Sequence, residues 1–141
     1  MLDLMHLTYL DSNSWLIELG GKRILLDPWL VGPLVFGNAG WFFKGERRTV
    51  REIPENIDLI LLSQGLEDHA HPETLKKLDR QIPVVGSPNA AKVVRKLGYN
   101  QVTELAHGQS VSVGGLEIMA VPGSPIGPML TCLLYTSDAA D

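Results

Sequence analysis

An aspartate and two histidines, which commonly bind metals, lie within residues 60–71, whose sequence is ILLSQGLEDHAH. Asp68, His69 and His71 follow directly after an aliphatic run, and hydrolytic metal sites are often built at the end of such a strand. A loop of the form His-x-His-x-Asp-His serves this chemistry because a sharp turn brings imidazoles and a carboxylate together around one or two zinc ions. One coordination position then stays open for water. The stretch therefore raises metal-assisted hydrolysis as a hypothesis.

The same window contains only half of that motif. It reads QGLEDH, so Asp68 and His69 stand at their positions, while Gln64 and Leu66 replace the first two histidines. Leucine has no ligating atom, and Gln64 offers an amide in place of an imidazole. His71 stands directly before a proline, which favours a helix-entry residue, although its alternation with His69 leaves a ligand role open. We therefore predict at most one metal position, with Asp68, His69 and His71 as its candidate ligands.

The elements around this loop form a pattern that is typical of a mixed α/β (α+β) fold. Residues 7–26 predict three short strands, the last two joined in a hairpin by Gly20-Gly21. Residues 57–62 predict a strand buried on both faces, because the run is almost continuously aliphatic. A short helix is predicted after His71, and a second helix after Ser87, a serine cap followed by a first-turn proline. Further short strands are predicted at residues 82–85, 101–105, 110–113 and 116–121.

Residues 32–56 are predicted to form a long irregular segment, because glycines and prolines recur throughout it. The segment is unusually aromatic, with Phe36, Trp41, Phe42 and Phe43 close together. Aromatic side chains in such a loop either cover part of a hydrophobic core or line a pocket as a lid. The sequence leaves both interpretations open.

Length and composition exclude several classes of protein. With 141 residues the chain has room for one domain or part of one. It is 45% hydrophobic and 20% charged and has no apolar run of ~20 residues, so we expect a soluble globular protein without a membrane partner. The N-terminus does not read as a secretory signal, which favours a cytoplasmic location. The low net charge gives no electrostatic case for nucleic acid, so we expect a small-molecule substrate or ligand. The oligomeric state is left open.

The last ten residues, CLLYTSDAAD, show neither periodicity nor capping signals, and they resemble the translation of a sequencing-library adapter. We therefore treat residues 132–141 as non-native and exclude them from fold reasoning. The only cysteine, Cys132, belongs to this tail, which leaves no disulfide or thiolate zinc site in the rest of the chain. The formal charge changes from −4 to −2, because Asp138 and Asp141 are excluded as well. The native chain is then expected to continue beyond Thr131.

Four strings carry a family resemblance when they occur in this order: ILLDPWL, LLSQGLEDHAHPETL, VVGSPNAAKVVRKLGY and HGQSVSVGGLEIMAVPGS. Together they resemble the metallo-β-lactamase-fold superfamily, and within it a lactonase-like branch of metallo-hydrolases from cyanobacteria and plants. The resemblance covers nearly all of residues 1–131. It implies an αββα sandwich in a domain considerably longer than this chain. Residues 1–131 are therefore expected to form the N-terminal half of that domain.

The resemblance also implies roles for individual residues. Asp68 and His69 match the ligands of the family's second metal position, and Asp68 would in addition act catalytically by orienting the attacking water. Asp27, within LLDPW, matches an aspartate that supports the metal loop by hydrogen bonds rather than binding the metal. Gln64 does not carry over from the family as a ligand, and we expect its amide to lie beside the ligands in a supporting role. Ser124 stands where the family has a further histidine ligand, so that ligand is missing here.

Two function classes follow from these residues. In the first, Asp68 and His69, with ligands from elsewhere, hold one zinc ion that activates water against an ester, lactone or phosphoester. In the second, the chain is a metal-free, non-catalytic member of the fold that binds a small molecule or a partner, with the Gln64 amide in the pocket. Ligand count favours the second class, since catalytic zinc normally has three protein ligands, whereas family membership favours the first. In either class we expect residues 1–131 alone to be inactive, because half a sandwich leaves its inner sheet face uncovered.

Overall fold

The computed structural model describes residues 4–35, 44–47 and 51–123. The strands in these ranges are β1 His6–Tyr9, β2 Trp15–Leu19, β3 Lys22–Leu26, β4 Leu34–Val35, β5 Lys44–Gly45, β6 Leu59–Leu62, β7 Val84–Gly86, β8 Val102–Glu104, β9 Ser110–Val113 and β10 Leu116–Met119. The helices are α1 Pro72–Lys77, between β6 and β7, and α2 Pro88–Lys96, between β7 and β8. The predicted mixed α/β architecture is confirmed. Within the described ranges, neither helix is long and apolar enough to cross a membrane.

Six strands form one mixed sheet in the order β1-β2-β3-β6-β7-β8. Strands β1, β2 and β3 pair antiparallel, and the predicted hairpin between β2 and β3 turns at Gly20-Gly21. Strands β3, β6, β7 and β8 pair parallel, with Leu26 of β3 opposite Leu61 of β6. The carboxyl ends of the parallel strands therefore meet at one edge of the sheet. Asp27 leaves β3 and Ser63 leaves β6 at that edge, so the fold brings these two polar side chains together.

The central strands of the sheet are covered on both faces, although by different means. On one face it packs against α1 and α2, and Leu25, Ile60 and Val84 are fully buried there. On the other face it packs against the hairpin of β9 and β10, around Ile24 and Leu59. The alternation of side chains along each strand explains this division, because neighbouring residues point to opposite faces. The nearly continuous aliphatic sequence of β6 fits its place in the middle of the sheet.

Both helices begin as their sequences predict. The His71 side chain accepts a hydrogen bond from the backbone N–H of Thr74, which caps α1. Ser87 does the same for the backbone N–H of Ala90 at the start of α2. After α2, Gly98 has a φ of 95°, a conformation that favours glycine and that ends the helix. Short-range signals were therefore sufficient to locate both helices.

Two predictions of local structure need correction. The strand predicted at residues 82–85 begins only at Val84, because the N–H of Ile82 donates to the carbonyl of Asp79 at 3.2 Å while the chain is still turning. The segment predicted to be irregular contains a short ladder, in which Leu34–Val35 pairs with Lys44–Gly45. Its aromatic residues at positions 36 and 41–43 lie outside the described residues.

Candidate functional site

Asp27 is the centre of the polar cluster at the carboxyl edge of the sheet. Its backbone φ of 44° lies in the left-handed region, which aspartate tolerates better than most residues. The carboxylate is buried, with the residue 4% exposed. It accepts hydrogen bonds from the Ser63 N–H at 2.7 Å and from the Ser63 hydroxyl at 2.5 Å. Asp27 therefore fixes the beginning of the loop that carries Asp68 and His69.

His69 is oriented by the same carboxylate. Its Nδ1 lies 2.7 Å from Asp27 Oδ2, so the imidazole donates its Nδ1 proton to that oxygen. In the neutral ring this tautomer leaves Nε2 as an acceptor. Nε2 points toward Asp68 Oδ2, at 3.4 Å. A carboxylate behind the imidazole is the arrangement that orients histidine ligands in metal sites.

Two buried oxygen atoms in the loop that carries His69 have unsatisfied acceptor capacity. Asp68 Oδ1 and Gln64 Oε1 have no hydrogen-bond partner within the part of the chain that the structure describes. A buried acceptor without a donor is costly, and proteins usually satisfy it with a donor group or a cation. The Asp68 carboxylate is the stronger of the two attractors because it is charged. Among the buried oxygens of this loop, Asp68 Oδ1 is therefore the one best suited to attract a positively charged group.

Asn13 joins the site from the turn between β1 and β2, although it was not predicted as a site residue. Its Nδ2 donates toward Asp68 Oδ2 at 3.3 Å and the Asp68 carbonyl at 3.4 Å, and it lies 3.4 Å from His69 Nε2. The neighbouring Ser14 is fully buried and anchors the turn: its hydroxyl donates to the Asp27 carbonyl at 2.8 Å. The register of the β2–β3 hairpin, which places residue 14 beside residue 27, was the only signal that could have found this contact.

Arg47 ties the turn between β1 and β2 to the chain that follows Asp27. Its guanidinium donates to the carbonyl of Trp29, to the carbonyl of Leu10 at 3.4 Å and to Asp11 Oδ2 at 3.2 Å. It also lies over the Trp29 ring, 5.4 Å from the ring centroid. Arg51 holds the same Asp11 carboxylate at 2.9 Å. These contacts fix the two segments that present Asn13 and Asp27 to the site.

His71, the third predicted ligand, lies apart from this cluster. Its ring is buried, with Nδ1 3.0 Å from the Thr74 hydroxyl and Nε2 3.0 Å from the Pro33 carbonyl. Burial lowers the pKa of His71 below its ordinary value, although the hydrogen bond to Pro33 opposes that effect. Both ring nitrogens are therefore engaged by α1 and by the chain after Trp29. An open cleft of about 510 Å³ lies beside His71, and its lining includes Val35.

The described residues fit a metal ion in part. Asp68 and His69 present an oxygen and a nitrogen in adjacent positions, and Asp27 orients the imidazole as metal sites require. However, no group of three His, Cys, Asp or Glu side chains within residues 4–35, 44–47 and 51–123 is placed to hold a metal. Ser124, where the sequence lacks the later histidine, lies outside the described residues.

Comparison with known proteins places the chain in a family. The family described as "Beta-lactamase superfamily domain" matches residues 6–128. The cytidine monophosphate-N-acetylneuraminic acid hydroxylase of Cricetulus griseus is 34% identical over 79 residues, which is 56% of this chain and 14% of that protein. The chain therefore spans a small part of the curated relatives it matches. It belongs to the beta-lactamase superfamily, as the resemblance predicted.

Solved structures show the same fold at low sequence identity. Igni18, a metallo hydrolase from Ignicoccus hospitalis, gives a TM-score of 0.59 at 18% identity, covering 85% of this chain and 49% of that one. CmlA, a diiron beta-hydroxylase from Streptomyces venezuelae, gives 0.60 at 23% identity, covering 86% of this chain and 24% of that one. Both neighbours are described as metal-containing enzymes. At these identities the likeness establishes the fold alone.

Proposed function

We propose that this member of the beta-lactamase superfamily is part of a metal-dependent hydrolase in which Asp68 and His69 hold one zinc ion. The substrate class is an ester, a lactone or a phosphoester. The observation that carries the proposal is the arrangement of Asp27, His69 and Asp68. Asp27 Oδ2 lies 2.7 Å from His69 Nδ1 and orients the imidazole, whose Nε2 faces Asp68 Oδ2 at 3.4 Å. The other oxygen of Asp68 is buried and has no hydrogen-bond partner among the described residues.

The residues of the chain would divide the work as follows. Zinc, when bound, lowers the pKa of coordinated water to about 7 and polarises the bond to be hydrolysed. Asp68 would orient the attacking water through its carboxylate, and His69 would keep its proton on Nδ1, from which it donates to Asp27 Oδ2. Gln64 offers its buried Oε1 as an acceptor beside the loop. The substrate would occupy the cleft beside His71, whose lining includes Glu67 of the same loop.

Residues 1–131 form the N-terminal half of the enzyme in this proposal, and residues 132–141 are not native. The coverage of Igni18 supports the first part, because the chain accounts for 49% of that protein. Exposed apolar side chains support it too, since a second half would cover them. They are Leu4, Met5, Leu7, Tyr9, Met119 and Val121, which are 49–90% exposed. We expect residues 1–131 alone to aggregate and to lack activity; a soluble monomer that unfolds cooperatively would contradict this.

The test is hydrolysis by the complete protein expressed from its natural gene. A panel of an aryl ester, a lactone and an aryl phosphate is assayed before chelation, after chelation and after zinc is added back. The proposal predicts activity on at least one class that chelation removes and zinc restores, and that Asp68→Ala abolishes. Glu104→Ala is the matched control, because this carboxylate is 49% exposed, pairs with Arg95 and does not line the cleft. Activity that survives both chelation and Asp68→Ala would contradict the proposal.

A metal-free binding protein is the second candidate, and one observation favours it. Asn13 already contacts both Asp68 Oδ2 and His69 Nε2, so a polar network can exist there without a cation. In this case Gln64 and the cleft beside His71 would bind a small molecule. Thermal-shift screening of the complete protein in excess chelator tests it. A ligand that stabilises the parent but not Gln64→Ala would support this candidate, and the absence of any such ligand would count against it.

A further inference from the structure

Three atoms at the site form a nearly equilateral triangle. The terminal amide atom of Asn13 lies 3.3 Å from Asp68 Oδ2 and 3.4 Å from His69 Nε2. The third side, between Asp68 Oδ2 and His69 Nε2, is also 3.4 Å. Asn13 lies 55 positions before Asp68 and 56 positions before His69 in the chain. The regular spacing therefore arises from the tertiary fold and not from one local turn.

Hydrogen bonding explains this triangle poorly. An N–H donor and its oxygen acceptor are normally ~2.9–3.0 Å apart, and bonds weaken beyond that distance. All contacts of the Asn13 amide exceed it, at 3.3–3.4 Å, and one nitrogen with two protons faces three acceptors. Meanwhile Asp68 Oδ1 stays without a partner among the described residues. The hydrogen bond from Asn13 Nδ2 reaches only Oδ2 of Asp68, so it leaves this carboxylate incompletely satisfied.

Metal coordination explains the same distances well. Zinc binds nitrogen and oxygen ligands at about 2.0–2.2 Å, so two ligands of a tetrahedral site are roughly 3.3–3.5 Å apart. The three sides of the triangle fall within that interval. The fourth position of such a site would remain for water, as in catalytic zinc sites. Within the part of the chain that the structure describes, His, Asp, Glu and Cys side chains alone do not supply three such ligands, so Asn13 would complete the set.

We infer that Asn13 is the third protein ligand of the metal site, binding through Oδ1. The carboxamide is nearly symmetric in shape, so a half rotation about its last bond exchanges Nδ2 for Oδ1 at the same place. The rotated oxygen directs a lone pair where a cation would lie. Without a cation, the nitrogen faces Asp68 and His69 instead. The inference rests on the proposed function, because it completes the same site.

The fold keeps Asn13 in this place. Ser14 anchors the turn from one side, since its hydroxyl donates to the Asp27 carbonyl and accepts from the Trp29 N–H, both at 2.8 Å. Arg47 anchors it from the other side through Leu10 and Asp11. A ligand held by such contacts needs little ordering when the ion binds, which favours affinity. The asparagine is therefore positioned for binding before the metal arrives.

Cobalt binding tests the assignment directly, because thiolate ligands of Co²⁺ give a near-ultraviolet charge-transfer band. The complete protein is stripped of metal and titrated with Co²⁺ as parent, Asn13→Ala, Asn13→Cys and Asp68→Ala. Asn100→Cys is the matched control, since Asn100 is exposed and follows α2. We expect Asn13→Ala to weaken binding by at least about 10-fold, the loss that even a supporting partner causes. Asn13→Cys should bind with the charge-transfer band, and Asn100→Cys should bind like the parent without it.

The outcomes separate this inference from the proposed function. Parent-like affinity in Asn13→Ala, together with no band in Asn13→Cys, overturns the ligand role of Asn13. If Asp68→Ala still loses Co²⁺ in that case, the proposed metal site stands. A parent protein that binds no Co²⁺ overturns both. Circular dichroism of each variant shows whether it is folded, and the band in Asn13→Cys requires a folded site.

Discussion

His69 and His71 are two residues apart in the sequence and have opposite environments in the structure. His69 has a carboxylate at each ring nitrogen, Asp27 at 2.7 Å and Asp68 at 3.4 Å. His71 has neutral partners at both nitrogens, Thr74 and Pro33. Acidic groups around an imidazole favour a cation there, whereas neutral partners satisfy an uncharged ring completely. The comparison shows that two histidines close together in a motif can have opposite surroundings, so their spacing alone does not predict whether either one binds a metal.

The largest effect is expected from Asp27→Ala, which removes the group that defines the His69 environment. The buried carboxylate accepts from Ser63 N–H, Ser63 hydroxyl and His69 Nδ1, so its loss leaves several donors unpaired. We expect the free energy of unfolding to fall by about 3 kcal/mol. Metal binding should be lost together with stability. Urea unfolding of the complete protein measures the first effect, and an unchanged unfolding midpoint would show that Asp27 does not hold the loop.

His71→Ala should be less costly and should separate the two histidines. It removes the cap of α1 and the hydrogen bond to Pro33, for an expected loss of about 2 kcal/mol. Because His71 lies apart from Asp68, zinc content should not change. His69→Ala is the matched variant, with zinc lost. If the folded His71→Ala variant also lost its zinc, His71 would be a ligand, and the proposed difference between His69 and His71 would be contradicted.

The smallest effect is expected from the change in stability with pH that is due to His71. Burial lowers the pKa of His71, so the unfolded chain, with an ordinary histidine pKa of about 6.5, binds a proton more readily than the folded protein. The contribution of His71 to stability is therefore complete above about pH 6.5 and is lost as the pH falls through the lower folded value. Urea midpoints at several pH values, for the parent and for His71→Asn, measure it. Asparagine can still cap the helix but does not titrate, so equal pH slopes in both proteins would contradict this account.

Local signals in the sequence predicted most of the fold. The turn at Gly20-Gly21, the aliphatic run of β6 and the caps of both helices each depend on neighbouring residues, and the structure has all of them. Strand boundaries were predicted less accurately, because the hydrogen bonds between paired strands depend on partners elsewhere in the chain. The strand predicted to begin at Ile82, for example, begins at Val84. The short pairing of Leu34–Val35 with Lys44–Gly45 has no local signal at all.

Only part of the candidate site could be predicted from the sequence. Asp68 and His69 were indicated by their spacing, and Asp27 by the family resemblance. Asn13 was missed because it approaches the loop from 55 positions away and is not among the usual ligand types. The replacement of two motif histidines by Gln64 and Leu66 was evident from the sequence, but its consequence depends on which side chains converge in three dimensions.

The most direct measurement is the zinc content of the complete protein by mass spectrometry, beside the variant Asp68→Ala/His69→Ala. The account predicts close to stoichiometric zinc in the parent and none in the folded variant. Zinc that persists in the variant, or a parent protein without zinc after growth in zinc-supplemented medium, would contradict the claim that these two residues hold a metal.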